Sequence, residues 1–317
     1  MNKIHKDIPT EAVAALLERY QLGQLHKVER LPSAEGDPML LVNGELMMRF
    51  SQSDAQSSVL AKEALIYRRL RLITDVACPD VLAFDTQHDL VPFDVLVQTH
   101  VQGQSGNAVW SKLDTLAREL LSEELGRMCA AMHNIPWSVY GDLVPDGLNF
   151  IQSARWTDVV LRDLEVMYNY VAEHSLLPQR LLDGLLTTVN DGDAIFDAAE
   201  APVLTHAALG WSNILLQQNG SQWHLVGIVD WKQARLADAA WEFASLWHDP
   251  EALYPLPDAF MYGYKERRAL PKELRIRQRF YRLLDHFRML SVCHQQFASE
   301  PAHAQGHVTA IERLLRL

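Results

Sequence analysis

A short pair of predicted strands interrupts the helical second half of this 317-residue chain and brings polar residues to its ends. The pair covers 213–217 and 223–229, where apolar residues run between turn-forming ones. His206 precedes the first strand, Asn213 begins it, and Asp230 follows the second strand directly. One such residue is commonly just part of a turn, but three at matched spacing favour a shared site.

Asn213 and Asp230 offer the oxygen atoms that hard cations such as Mg²⁺ prefer. In phosphoryl transfer such an ion bridges the nucleotide phosphates, and a nearby carboxylate receives the proton of the attacking hydroxyl. The spacing from His206 to Asn213 puts that carboxylate at position 208, where the chain has Ala208. The sequence therefore predicts a catalytic loop with His206 in a structural role, Mg²⁺ held by Asn213 and Asp230, and no general base.

The N-terminal third of the chain has mainly the patterns of strands, and the remainder mainly those of helices. Asn43-Gly44 is the strongest hairpin signal in the chain, and Thr10 is placed to cap the first helix. Together these patterns predict an α+β fold with two lobes, a small antiparallel-sheet N-lobe at 1–101 and a larger helical C-lobe at 102–317 with the catalytic loop, metal site and acceptor site. Strands are expected at 28–31, 39–42, 46–50, 81–84 and 95–101, and helices at 10–20, 54–72, 116–133, 155–173 and 179–199.

Two charged residues of the N-lobe are candidates for binding phosphate. Arg49 lies on a central predicted strand, and its planar guanidinium can hold phosphate oxygens. Glu63, on the following helix, is at the spacing expected for a carboxylate that locks Arg49 in place. Either residue alone would ordinarily be a solvated surface charge. The turn at 32–37, which contains Ser33, is a weaker candidate for covering the phosphates.

The composition limits the class of protein. With 48% hydrophobic residues the chain can bury a large core, and no apolar run reaches the ~18–20 residues of a membrane span. Three dispersed cysteines fit a reducing cytoplasm, and no membrane association is expected. The net charge of −11 disfavours a nucleic-acid partner. That charge would attract a cationic small molecule, or it simply keeps a monomer or weak dimer soluble.

At these residues the chain resembles the aminoglycoside phosphotransferase family, a branch of the protein-kinase-like fold. Within that family it is most similar to enzymes of the hygromycin B phosphotransferase type, and the resemblance covers about 28–249. The segments that carry the family resemblance are His206-Ala207-Ala208 with Asn213, Gly227-Ile228-Val229-Asp230-Trp231, Ala237-Asp238-Ala239 and Met132-His133-Asn134-Ile135-Pro136. Those that carry the hygromycin resemblance are Tyr140-Gly141, Trp156-Thr157-Asp158 and Leu284-Asp285.

The resemblance implies a kinase-like reaction. ATP or GTP would phosphorylate a hydroxyl of a small, cationic aminocyclitol or aminoglycoside antibiotic in the presence of Mg²⁺. His100 and Val101 would form the hinge that contacts adenine through the backbone, with Gln98 as gatekeeper. The acceptor site is expected to be acidic and to lie in the helical lobe. Its candidate residues are Asp158, Asp249, Glu251 and Asp285, of which Asp285 lies among apolar residues.

Ala208 departs from the family pattern, because a methyl group can neither orient a hydroxyl nor take its proton. One explanation is a single inactivating substitution of an aspartate, made to trap a substrate complex. The other is a natural pseudoenzyme. The intact metal ligands favour the first. Two alternative functions stay open: a metabolic kinase of the same fold acting on a neutral or amino-acid-like alcohol, and a non-catalytic binding protein.

Overall fold

The fold is α+β with two lobes, as the sequence predicts. The computed structural model describes residues 8–32, 38–51, 53–144, 151–192, 196, 199–247, 253–296 and 301–316. Among these residues, no helix is both long and apolar enough to span a lipid bilayer.

The N-lobe is a five-stranded antiparallel sheet in the order β1-β2-β3-β5-β4. The strands are β1 (Val28–Leu31), β2 (Met39–Val42), β3 (Leu46–Phe50), β4 (Val81–Asp85) and β5 (Val95–Thr99), and the helices are α1 (Thr10–Arg19) and α2 (Asp54–Ile73). Asn43 and Gly44 join β2 to β3 with φ of 55° and 75°, as a type I′ hairpin turn requires. The strand predicted at 95–101 ends earlier, at Thr99, because the chain there leaves the sheet for the second lobe.

The predicted cap of α1 and the predicted end of one helix in the C-lobe are wrong. Pro9, rather than Thr10, is the N-cap of α1, and no side chain caps this end. The helix predicted at 179–199 ends at Asp191, where Gly192 follows. Both errors have the same cause, because capping and termination depend on local hydrogen bonds that the apolar period does not record.

The C-lobe contains longer helices and two small sheets, β11-β10-β6 and β8-β7-β12-β9. The sequence predicted only one strand pair here, because the extra strands have two or three residues and form by long-range pairing. The strands are β6 (Gln104–Ser105), β7 (Tyr140–Gly141), β8 (Gln152–Ser153), β9 (Val203–Thr205), β10 (Ile214–Asn219), β11 (Gln222–Ile228) and β12 (Arg235–Ala237). The helices are α3 (Gly106–Val109), α4 (Thr115–His133), α5 (Trp156–Glu173), α6 (Gln179–Asp191), α7 (Ala239–Ser245), α8 (Pro257–Arg267), α9 (Leu274–Gln296) and α10 (Pro301–Arg316).

One core cluster of the C-lobe includes residues at both ends of the hairpin of β10 and β11. Trp211, Ile214, Trp231 and Phe243 are fully buried in one apolar cluster there. Burial of large aromatic side chains is among the strongest contributions to core stability. The cluster therefore fixes both ends of the hairpin, which are the positions where the sequence predicts the site.

Candidate active site

The catalytic loop is held by a buried carboxylate from α7. The two carboxylate oxygens of Glu242 accept hydrogen bonds from the backbone N–H groups of His206 (2.6 Å) and Ala207 (3.0 Å). Ala207 has φ of 60°, a left-handed conformation that is uncommon outside glycine, and these hydrogen bonds stabilise it. Burial raises the pKa of Glu242 to about 7.

His206 connects this loop to the strand that precedes Asp230. Its ring is buried against Trp231, and Nε2 lies 3.0 Å from the backbone oxygen of Val229. A carbonyl only accepts, so Nε2 carries the proton of the neutral ring. Nδ1 is buried and has no partner among the described residues. Burial lowers the pKa of His206 to about 4, so at neutral pH the ring is an uncharged link between two loops.

The two predicted metal ligands lie on adjacent loops that are joined by hydrogen bonds. Asn213 Nδ2 donates to the backbone oxygen of Ala208 (2.9 Å), and the backbone oxygen of Asn213 accepts from the N–H of Val229 (3.0 Å). Because Nδ2 is engaged, the amide oxygen of Asn213 is the atom that a metal ion would use. Asp230 has φ of 64° and its carboxylate lies 3.6 Å from Lys232 Nζ. An amide oxygen and a carboxylate are a donor set that fits Mg²⁺.

Arg49 and Glu63 form an ion pair within the N-lobe, and Glu63 joins that pair to the C-lobe. The Arg49 guanidinium donates to one oxygen of the buried Glu63 carboxylate, whose other oxygen accepts from the backbone N–H of Trp231 (3.2 Å). Burial by itself would lower the pKa of Arg49, but the carboxylates of Glu63 and Asp230 contribute to a net increase. Glu63 thus fixes the predicted phosphate-binding cation with respect to the residue that follows Asp230.

A cavity of about 400 Å³ lies between the lobes. The residues of β5 and of the segment after it line one side of this cavity, which we call the nucleotide cleft. Two hinge residues are predicted, His100 and Val101. The His100 N–H already donates to the backbone oxygen of Glu45 (2.7 Å), so the Val101 N–H is the one that the described hydrogen bonds leave to bind adenine. Predicted site residues that line the cleft are Arg49, Gln98, His100, Val101 and Asp230. Ser33 lies outside the described residues.

A second cavity of about 390 Å³ is lined mainly by the C-lobe, with α2 of the N-lobe on one side, and adjoins the first. Val59 and Lys232 line both cavities, so the second one opens at the end of the nucleotide cleft where Asp230 lies. Ala207, of the catalytic loop, also lines it. We call it the acceptor cleft, because an acceptor bound there would lie next to the catalytic loop.

Only part of the predicted acceptor site lies in this cleft. Asp285 lines it, and its Oδ1 accepts from Nε (3.2 Å) and Nη2 (2.8 Å) of Arg288. Asp158 is not among the lining residues of either cavity; it is half-exposed at the start of α5 and accepts from Ser153 Oγ (2.7 Å). Asp249 and Glu251 lie outside the described residues.

The structure also brings in residues that sequence reasoning missed. Asp142 and Asp163 line the acceptor cleft and face Arg235, whose Nη1 lies 2.6 Å from Asp163 and whose Nη2 lies 4.0 Å from Asp142. No sequence signal distinguishes Asp163 from the other charges of its helix. For Glu242 the sequence does contain a signal, its position four residues after Asp238 at the start of the same helix.

Asp238 caps α7 and braces α9. Its carboxylate accepts from the N–H of Ala240 (3.2 Å), which caps the helix. It also accepts from the buried Arg277 (3.1 Å) and from the Tyr281 hydroxyl (2.7 Å), both on α9. These contacts hold the helix of Glu242 against the helix of Asp285.

The family model described as the phosphotransferase enzyme family matches residues 27–279. The chain belongs to this family. No curated protein sequence gives a significant match.

Solved structures with the same fold cover nearly the whole chain. A complex of the phosphotransferase APH(2")-IIia with GDP and kanamycin is 18% identical with a TM-score of 0.69, covering 96% of this chain and 98% of that one. A putative fructosamine-3-kinase from Thermobifida fusca is 16% identical with a TM-score of 0.71, covering 98% and 100%. A thermostable mutant of the aminoglycoside phosphotransferase APH(4)-Ia is 16% identical with a TM-score of 0.64, covering 95% and 97%. At these identities the likeness shows the fold alone.

Proposed function

We propose that this chain has the site of a small-molecule O-phosphotransferase that takes a phosphoryl group from ATP or GTP. The observation that carries the proposal is the arrangement around Glu63, whose two oxygens bind Arg49 from the N-lobe and the backbone next to Asp230 from the C-lobe. An ion pair with a purely structural role would not need to be joined to the backbone beside a second carboxylate that lines the cleft. Phosphoryl transfer does need it, because its catalysis consists mainly of positioning and of neutralising charge.

The predicted site residues in and beside the nucleotide cleft have these roles in the proposal. Arg49 would bind the phosphates, and Asn213 and Asp230 would hold Mg²⁺, which when bound neutralises the charge on the transferred group. Val101 would bind the adenine or guanine ring through its backbone. Gln98, at the back of the cleft, has a buried Oε1 without a partner among the described residues, which suits a donor on the base.

Ala208 removes the proton acceptor from an otherwise folded loop. Its backbone oxygen accepts from Asn213 Nδ2 and from the N–H of Gly210 (2.9 Å each), so the loop geometry depends on the backbone and not on the side chain of residue 208. This supports the interpretation that an enzyme with aspartate at 208 has been inactivated by a single substitution. The chain as it stands is then expected to bind its ligands and to turn over very slowly.

The acceptor has two candidates. The family resemblance, together with a structural neighbour solved with kanamycin, supports an aminocyclitol antibiotic. The second candidate is a metabolite, as for the neighbour named a putative fructosamine-3-kinase. A specific observation favours the metabolite, since the described lining of the acceptor cleft has more cationic than acidic side chains.

Calorimetric titration with ATP and with GTP, each with and without Mg²⁺, tests the proposed site. At least one nucleotide should bind, and Mg²⁺ should strengthen its binding. Asp230→Ala should remove the part that depends on Mg²⁺, because the metal loses its only carboxylate ligand in the proposal. Asp158→Ala is the matched control, since that carboxylate is half-exposed and outside both clefts. If neither nucleotide binds, or if both variants behave alike, the proposal is wrong.

A further inference from the structure

The charges around the acceptor cleft do not suit the polycation that the family resemblance implies. Among the described residues, five cationic side chains and three carboxylates line it. The cationic ones are Lys62, Arg162, Lys232, Arg235 and Arg288, and the acidic ones are Asp142, Asp163 and Asp285. A site that selects ammonium groups needs carboxylates in excess, because each buried charge must be compensated.

The three carboxylates are already paired with arginines of the same cleft. Arg235 is mostly buried, with 14% of its side chain exposed, and it lies 2.6 Å from Asp163 and 4.0 Å from Asp142. Asp285 accepts twice from Arg288. These arginines already compensate the negative charge of the carboxylates, so an ammonium group bound there would add to the positive charge of the cleft.

The cationic groups have more capacity to bind a ligand. Arg288 uses Nε and Nη2 on a single oxygen of Asp285, and its Nη1 makes a contact of 3.3 Å with Gln233 Oε1. A guanidinium has five N–H donors, so a second, planar anion can bind beside the first. Arg162 pairs with Glu165, but both side chains are more than half exposed, and such pairs are weak and exchangeable.

Two lysines lie where the acceptor cleft meets the nucleotide cleft. Lys62 Nζ donates to the backbone oxygen of Lys232 (2.9 Å), which keeps both residues at the junction. Lys232 Nζ lies 3.6 Å from the Asp230 carboxylate. The positive charge of the cleft thus extends from the predicted metal site to Arg288 on α9.

We propose that the acceptor is an alcohol that also bears an anionic group, a carboxylate or a phosphate ester, which Arg288 and Arg162 bind. This inference rests on the proposed function, because it concerns the acceptor of that same site. It replaces the cationic antibiotic by an acidic metabolite. The hydroxyl of the acceptor would point toward the catalytic loop and its acidic group toward α9.

A panel of matched polyols tests the charge of the acceptor. Glucose 6-phosphate, gluconate, glucose, glucosamine and kanamycin are titrated into the protein saturated with ADP and Mg²⁺, and binding is followed by calorimetry. At least one acidic member should bind about tenfold or more tightly than glucose, and its affinity should fall as salt is added. Comparing the affinities of glucose 6-phosphate and gluconate shows whether the site prefers a phosphate or a carboxylate. Binding of kanamycin in preference to every acid would overturn the inference.

Two substitutions on α9 give opposite results for the two charge classes. Arg288→Gln should weaken binding of the acid about tenfold, the size expected for lost hydrogen bonds to a charged group. Asp285→Asn should leave that binding equal or stronger, because it releases Arg288 from its partner. For a cationic acceptor, Asp285→Asn would instead weaken binding. Arg180→Gln is the control, since Arg180 pairs with Glu312 away from the cleft.

Nucleotide titrations keep this inference distinct from the proposed function. ATP should bind Arg288→Gln and the parent chain with equal affinity, because Arg288 does not line the nucleotide cleft. If ATP and GTP fail to bind while acids do, the proposed function fails and the anion site stands. If nucleotide binds and the acids bind no better than glucose, the inference fails and the proposed function stands.

Discussion

The nucleotide cleft and the acceptor cleft have nearly equal volumes, about 400 and 390 Å³, but very different walls. The first is lined mainly by apolar side chains, and its charged lining residues among those described are Arg49, Asp230 and Lys232. The second is lined by eight charged residues from several helices and loops. A nucleotide offers the same flat ring and phosphates in every case, so few polar groups suffice. An acceptor has to be recognised by its own charge and shape, so its cleft carries the information about specificity.

The two clefts also differ in whether their chemistry is complete. In the proposed function, the donor side has a cation, a carboxylate that holds it in place, and two residues whose oxygen atoms would bind a metal ion. The acceptor side lacks the proton acceptor, because residue 208 is alanine. The comparison therefore predicts a protein that binds a nucleotide well and transfers its phosphoryl group poorly.

The largest effect is expected at this missing group. Ala208→Asp should raise turnover on the best acceptor by about 10²–10⁴-fold, the usual contribution of a positioned general base. Release of ADP, measured with a coupled assay over the polyol panel, gives the rate. Ala208→Asn is the matched control, because it has the same shape but accepts no proton. A gain below about tenfold, or an equal gain for both variants, would favour a binding protein that never catalysed the reaction.

Removing the charge that connects the lobes should have the next largest effect. Glu63→Gln keeps the size of the side chain but leaves Arg49, with 27% of its side chain exposed, without its counter-charge. Breaking such a pair costs about 3 kcal/mol of the free energy of unfolding, the low end for buried pairs because Arg49 is partly solvated. Chemical denaturation measures this loss, and calorimetry should show weaker ATP binding.

An exposed ion pair is the control for that experiment. Glu165→Gln removes the partner of Arg162 on the surface of α5 and should change stability by less than about 1 kcal/mol. If Glu63→Gln changes neither stability nor nucleotide binding, Glu63 does not position Arg49. A loss of stability with unchanged ATP affinity would leave the pair as a purely structural contact.

Two buried neutral histidines should destabilise the protein in acid, whereas Glu242, whose pKa is raised to about 7, acts in the opposite direction. Burial lowers the pKa of His133 to about 3 and of His206 to about 4, both from an unfolded value near 6.5. A lowered histidine pKa means that the unfolded chain binds more protons, so stability is present above pH 6.5 and falls as the pH decreases toward 4. Each histidine contributes a slope of about 1.4 kcal/mol per pH unit at most.

Substitution of His206 separates its contribution to this pH dependence from that of His133. Unfolding free energy is measured by urea denaturation over a pH series. Between pH 6 and 4.5, His206→Gln should reduce its slope against pH by the contribution of about one proton. The same variant should bind ATP more weakly, because His206 holds Val229, the residue before Asp230, in the nucleotide cleft. An unchanged slope would show that His206 takes up its proton in the folded state as readily as in the unfolded chain.

The smallest effect is expected at the back of the nucleotide cleft. Gln98→Leu removes a buried oxygen without a described partner and should raise stability by about 1 kcal/mol. If that oxygen serves the nucleotide base, ATP or GTP should then bind several-fold more weakly. Thermal denaturation with and without nucleotide measures both. A variant that is less stable, with unchanged nucleotide affinity, would contradict the assignment of Gln98.

Features that depend on neighbouring residues were predicted from the sequence. The strands β1, β2 and β3 have the predicted bounds, because alternation of side chains and the turn at Asn43-Gly44 act within a few residues. The order of His206, Asn213 and Asp230 predicted the family, which the match over residues 27–279 confirms. That these residues form a catalytic loop and a metal site stays a prediction. The position of Arg49 next to Glu63 also followed from a strand and the next helix.

Features that depend on contacts between distant segments were decided by the tertiary structure. Glu242 holds the catalytic loop from a helix 35 residues away in sequence, and the short strands of the C-lobe exist only because a partner strand lies beside them. The charge of the acceptor cleft is the clearest case. The sequence has a net charge of −11, which suggested an acidic site, but the described cleft walls are more basic than acidic. Net charge counts every residue equally, whereas only folding decides which carboxylates are paired with arginines and which side chains face the cleft.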